Sequence, residues 1–216
     1  AQHFQQADNQ SKAFDYFKKA LELDPDNQAA HAFFGIEAYK HKDSDKAVLH
    51  FQELAKQKPN DAHVTYDLAL SFFQQKQWEQ AIVQFLKTLA LNPDHEQAYL
   101  HLGSCYEKKD NYTQAISTYE TALQKIPSSY ELFHRLGCAY RHIEQLSQAA
   151  EAFKAAYQIN PTHLHAIMEL ANTLNMLDRN QESLELYKKI LEINPNAISA
   201  LYNFGYTLKK MRNYQS

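Results

Sequence analysis

The six prolines of this 216-residue chain stand at Pro25, Pro59, Pro93, Pro127, Pro161 and Pro195, each 34 residues after the last, and no proline lies off that lattice. The four glycines, Gly35, Gly103, Gly137 and Gly205, each fall ten residues after a proline, and Ala69 and Ala171 fill the two skipped slots of the same register. A fixed period of this length is the mark of a repeat array, in which each unit buries its apolar face only against its neighbours. So few punctuating residues cannot serve a loop-rich β fold, whose turns need Gly or Pro every ~8–12 residues. The chain is therefore expected to be all-α.

Composition narrows the function. Hydrophobic residues make up 44% and charged residues 22%, with a net charge of −3, enough apolar material for a core and far from the signature of disorder. A charge so near neutrality gives no field to gather nucleic acid or anionic membrane. No apolar run approaches the length of a membrane span. Two cysteines cannot make a disulfide scaffold, and free thiols suit a reducing compartment, so a cytoplasmic location is expected. The chain opens Ala1-Gln2-His3 without a Met and reads as a piece of a longer protein.

Counted from the lattice, the full units are 28–61, 62–95, 96–129, 130–163 and 164–197, with partial units at 1–27 and 198–216. In the fourth unit Phe133, Leu136, Gly137 and Tyr140 share one stripe of a first helix, and Ala149, Phe153 and Ala156 do the same for a second. A helix-interior Gly costs about 1 kcal/mol against Ala, so its recurrence at one slot points to two helices approaching closely there. Ala13, Ala47, Ala81, Ala115 and Ala149, followed one turn later by Phe17, Phe51, Phe85, Tyr119 and Phe153, suggest alternating small and large packing. After the prolines come Asp26, Asn60, Asp94, Ser128, Thr162 and Asn196, all residues expected to cap the first helices. Ser128-x-x-Glu131 and Asp94-x-x-Gln97 read as capping boxes. Within units, Asp43-Ser44, Gln77-Trp78, Asp110-Asn111 and Asp178-Arg179-Asn180 read as polar turns.

These residues carry a resemblance that spans the chain. Tyr99-x2-Leu102-Gly103-x2-Tyr106, then Ala115-x3-Tyr119-x2-Ala122 and Pro127, is similar to the pattern of the tetratricopeptide repeat family. The resemblance implies one domain over 1–216, a right-handed superhelical solenoid of antiparallel helix pairs, with one stripe of each first helix lining a concave side. His31 and Thr65 depart from the aromatic usual at their slot. Ser183 replaces a small Ala and is expected to hydrogen-bond the carbonyl four residues earlier.

The stripe turned from the packing face holds the candidate binding residues. It begins apolar and aromatic: Ala32, Ile36 and Tyr39; then Tyr66, Leu70 and Phe73; then Leu100, Ser104 and Glu107, with His101 alongside. It continues polar and partly basic: His134, Arg135, Cys138, Arg141 and His142; then Met168, Asn172 and Asn175; then Tyr202, Asn203, Tyr206 and Lys209. One reading is a groove for an extended or helical peptide, with an apolar anchor near Tyr66 and Phe73 and acidic or polar ligand residues toward Arg141 and Lys209. The other is that Tyr39, Tyr66 and Phe73 fill the inner curve against neighbouring repeats. The family's clamp for a C-terminal carboxylate is absent as a set, with only Asn172 and Asn203 in the slots of its paired asparagines, and a solvated pair is the plainer reading there.

Chemistry beyond binding finds little support. His134-x3-Cys138-x3-His142 is the sharpest set of metal-ligand types, but residues eight apart on a helix lie about 12 Å apart, too far to share one ion. No metal and no cofactor is expected. With no phosphate loop and no nucleophile elbow, the chain is read as non-catalytic. The sequons at Asn9 and Asn111 and the basic cluster Lys209, Lys210 and Arg212 read as chance matches and a solvated helix end. The expected function is a scaffold that binds peptide segments of partner proteins. The alternative is a substrate-recognition arm of a larger enzyme, since the array also resembles those of O-linked N-acetylglucosamine transferase-type glycosyltransferases. Self-association is expected through Leu201, Phe204 and Leu208 at one end or near Phe4 at the other.

Overall fold

The computed structural model describes residues 2–213, with side chains over 11–212. Among the described residues there are twelve helices and no strand: α1 (Gln2–Leu23), α2 (Gln28–Lys40), α3 (Ser44–Gln57), α4 (Ala62–Gln74), α5 (Trp78–Leu91), α6 (Glu96–Lys108), α7 (Tyr112–Lys125), α8 (Tyr130–His142), α9 (Leu146–Ile159), α10 (Leu164–Met176), α11 (Asn180–Ile193) and α12 (Ile198–Asn213). They gather into two compact units, residues 1–105 and 106–216, divided within α6. In the first, α2 packs on α3, α3 on α4 and α4 on α5; in the second, α7 to α12 pack successively in the same way. No described helix is long and apolar enough to cross a membrane.

The loops explain the even spacing. After α2, α4, α6, α8 and α10 one residue takes a left-handed conformation: Lys42, Lys76, Asp110, Glu144 and Asp178 have φ of 60°, 60°, 55°, 61° and 60°. The next N–H then reaches back five residues, as from Asp43 to the Ala38 carbonyl (2.9 Å) and from Gln145 to that of Tyr140 (2.9 Å). This is the Schellman closure, a place where glycine is the usual residue. Here none of the five is glycine.

The capping expectation is displaced by one residue. The side chains of Asn27, Asp61, Ser129 and His163 accept the free N–H groups of α2, α4, α8 and α10, as in Ser129 Oγ from Leu132 N at 3.1 Å. Asp26, Asn60, Ser128 and Thr162 are therefore not the caps, Asp94 and Asn196 likewise stand two residues before α6 and α12, and Glu131 instead pairs with Arg135 at 3.2 Å. The proline turn needs one more residue before the helix can start. In three of the turns the post-proline N–H donates to a residue two before it: Asp26 to Asp24, Asp94 to Asn92 and Asn196 to Asn194.

The glycine slot is a contact point. A Cβ on Gly35 would lie 2.9 Å from the Phe51 ring, and one on Gly137 2.7 Å from the Phe153 ring, whereas one on Gly205 would meet nothing within 4 Å. Ala47, Ala81, Ala115 and Ala149 and the aromatics Phe51, Phe85, Tyr119 and Phe153 are buried. Ser183 departs from its expected partner: its hydroxyl donates across the hairpin to the Ala171 carbonyl at 2.9 Å, tying α11 to α10. The two departures in the first unit are also bonded within the core. The Thr65 and Thr88 hydroxyls lie 3.0 Å apart, and His31 Nε2 donates to the Pro25 carbonyl at 2.8 Å, so its Nδ1 accepts from His50 at 3.1 Å.

Candidate functional site

In the second unit the first helices α8, α10 and α12 carry a trough. Its larger hollow, of about 760 Å³, is lined by Glu107, Tyr112, Arg135, Cys138, Arg141, His142, Glu144, Asn172 and Met176, among others. A second hollow of about 310 Å³ adjoins it through Asn172 and Met176 and adds Asn175, Tyr187, Tyr202, Asn203 and Tyr206. Ten sequence candidates, Glu107, Arg135, Cys138, Arg141, His142, Asn172, Asn175, Tyr202, Asn203 and Tyr206, thus meet in one depression. Lys209 is exposed and His134 half-buried, and neither lines these two hollows.

The trough is built of held polar groups and open aromatic ones. The Asn172 side-chain oxygen accepts from the Tyr187 hydroxyl (2.7 Å) and from Asn203 Nδ2 (2.9 Å), which fixes the amide and turns its N–H pair outward. The two asparagines are therefore bonded to each other rather than separately solvated. Asn175 Nδ2 donates to Thr207, and Lys210 reaches the Asn175 carbonyl at 3.1 Å and Asp178 at 2.6 Å. Lys210 thus sits at the negative end of α10 instead of in free solvent. Tyr202 and Tyr206 are 72% and 57% exposed, so their rings are free to meet a ligand.

At the other end of the trough Arg141 pairs with Glu169 of α10 and lies 5.5 Å from the centre of the Phe153 ring. His142 stacks on Tyr112 at 3.7 Å. His134 Nε2 lies 3.1 Å from His165 Nδ1, a partner that sequence spacing within one helix did not reveal, and 3.9 Å from Cys138 Sγ. Burial, and then the neighbouring His165, lower the His134 pKa. Burial pushes the Cys138 thiol up to about 11, so it is no ready nucleophile. Among the described residues no group of three or more His, Cys, Asp or Glu is placed to hold a metal ion.

The first unit presents the aromatic stripe. Tyr66 lies tilted by 36° against His95 at 4.4 Å between centroids, and its hydroxyl lies 3.3 Å from His101 Nδ1, which donates to the Gln97 carbonyl at 2.7 Å. Phe73 meets Trp78 edge-on at 5.2 Å and His101 at 5.5 Å. Both rings are half-buried, as are Tyr39 and Leu70, while Ile36 is exposed. Leu100 is buried, so it supports this face from beneath and cannot touch a ligand.

One residue of this face was missed. Asp67 occupies the slot held by His101 one repeat on and by Arg135 and Asn203 further along, and that 34-residue register was the signal that would have found it. Its half-buried carboxylate accepts no hydrogen bond and joins no ion pair among the described residues. Burial raises its pKa to about 6, against the pull of His63 and with a further push from Asp61.

Comparisons with known proteins agree on one fold. Models described as tetratricopeptide repeat match residues 4–27, 34–88, 66–130 and 144–214. A solved structure of MamA from Desulfovibrio magneticus RS-1 is 21% identical with a TM-score of 0.68, covering 79% of this chain and 96% of that one. YrrB, described as a tetratricopeptide repeat protein with an unusual peptide-binding site, is 18% identical with a TM-score of 0.67, covering 87% and 96%. TTC0263, a thermophilic protein of the same repeat type from Thermus thermophilus, is 21% identical with a TM-score of 0.55, covering 84% and 99%. No curated protein matches the chain.

Proposed function

The chain belongs to the tetratricopeptide repeat family, and from that premise we propose that it is a protein-interaction scaffold that holds peptide segments of partner proteins without chemistry of its own. The observation that carries this is the trough of the second unit, two adjoining hollows of about 760 and 310 Å³ that share Asn172 and Met176. Its chemistry suits a peptide. A fixed amide donor at Asn172 serves a main-chain carbonyl, the exposed rings of Tyr202 and Tyr206 serve apolar or aromatic side chains, and Arg135 favours an acidic neighbour. The peptide-binding site named for YrrB, of like fold, is consistent with this use.

The test is a selection of displayed peptides on the whole chain, followed by hydrogen exchange with the best binder. Protection of α8, α10 and α12 supports the proposal; no enriched peptide, or protection confined to other helices, refutes it.

A further inference from the structure

We infer that the first unit carries a separate subsite for a positively charged side chain, an arginine or lysine of a partner segment, with Asp67 as its counter-ion and Tyr39 and Tyr66 as its aromatic walls. Four observations converge. Asp67 lies on the ligand-side register of α4, where the equivalent Arg135 and Asn203 line the hollows of the second unit. Its carboxylate is half-buried and has neither a hydrogen-bond donor nor an ion-pair partner within bonding distance among the described residues; His63, one turn earlier on α4, pulls on its charge from farther away, and Asp61 opposes it. Tyr66 precedes Asp67 on α4 and Tyr39 stands on the ligand-side stripe of the neighbouring α2; both are half-buried, and burial raises both phenol pKa values, with a smaller push from Asp67 at Tyr39 and from Tyr39 and then Asp67 at Tyr66. Ile36, exposed on α2, extends the same face with an apolar surface.

A carboxylate withdrawn from water without a partner destabilises the fold, because its lost hydration is not replaced. A guanidinium or ammonium placed over it supplies the missing charge, while the Tyr39 ring and the side of the Tyr66 ring not packed on His95 attract the same cation through their quadrupoles. Complementarity of charge therefore selects the occupant. An acidic segment would face an unpaired carboxylate in a poorly solvated site, and a neutral one would leave Asp67 as it stands.

The inference rests on the premise that these faces meet peptide segments, but its test uses only residues of the first unit. The probes are the blocked tripeptide acetyl-Leu-Arg-Leu-amide and the same peptide with citrulline, which keeps the shape of arginine and removes its charge. Their affinities are read by amide shifts of the whole chain in NMR titration. The expected result is at least about tenfold tighter binding of the arginine peptide, with shifts centred on α2 and α4. Asp67→Asn should erase that preference while raising Tm, since it removes an uncompensated charge; the higher Tm separates loss of the site from loss of the fold. Equal affinity for the two peptides, no binding of the arginine peptide, or a preference that survives Asp67→Asn overturns the inference. None of these outcomes bears on the trough of α8, α10 and α12, which is tested by its own residues.

Discussion

The ring of Phe153 occupies the space in which a side chain on Gly137 would sit, with only 2.7 Å between the ring and a Cβ built on that glycine. Phe153 is wholly buried, so any shift of its ring must displace the residues packed around it. Gly137→Ala is therefore expected to destabilise the second unit by about 1–3 kcal/mol through overpacking, despite alanine's better helix propensity. Gly205→Ala, with nothing within 4 Å, should gain about 0.5–1 kcal/mol. Chemical denaturation of both variants checks the pair; equal effects would mean that the slot holds glycine for a reason other than packing.

The second prediction concerns the turns. Lys76 and Glu144 hold φ near +60° without being glycine, a conformation costing ordinary residues roughly 1 kcal/mol or more. Lys76→Gly and Glu144→Gly should each raise stability by about 0.5–1 kcal/mol, the gain being trimmed by glycine's freer unfolded chain. Lys76→Val should lower it. Thermal melts that rank valine at or above glycine would contradict this account.

Protonation gives a third. His134 has a lowered pKa, set by its burial and by His165, with Glu131, Glu169 and Arg135 also facing it and Cys138 adjacent. Folded chain then binds fewer protons at this site than unfolded chain at any pH between the lowered value and the ordinary 6.5. Its contribution is complete above about pH 6.5 and is lost as pH falls through the folded pKa. His134→Gln should accordingly lose less Tm than wild type between about pH 7.5 and 5.5. Asp67, raised to about 6, has the opposite sign, which is why the comparison between variants rather than the raw slope is the measurement. Parallel slopes would show that His134 does not set this part of the pH response.

The periodic features were open to sequence reading because they are backbone requirements. Pro and Gly mark fixed geometry wherever they stand, and the six prolines and four glycines recur at one spacing. The caps were misplaced by a single residue because Asp26 and Asn27 are both good capping types, and only the turn around Pro25 decides between them. The pairings that shape the faces were hidden for another reason. His134 with His165, Arg141 with Glu169, and Asn172 with Asn203 join different repeats, so each depends on how neighbouring helices are registered and on which rotamers they allow. Asp67 was passed over although its 34-residue register aligns it with His101, Arg135 and Asn203, because its lack of a hydrogen-bond or ion-pair partner shows only in the packed structure. The expected end near Phe4 lies outside the described side chains.

A fourth prediction follows from α12, where Ile198, Leu201 and Leu208 are 81%, 49% and 46% exposed, with Phe204 half-buried beside them. An apolar surface of this kind drives association. Sedimentation of the chain across a concentration series should show self-association, and Leu201→Glu with Leu208→Glu should suppress it. A monomer at every concentration would remove this surface from consideration.

The claim that the trough of the second unit holds partner peptides is tested most directly by the affinity of a selected peptide for wild type and for the Tyr202→Ala/Tyr206→Ala variant. Both rings are largely exposed, so their loss should leave Tm nearly unchanged. The account predicts binding at least about tenfold weaker in the variant, in keeping with aromatic residues as anchors of recognition. Unchanged affinity in a variant of unchanged stability would contradict it.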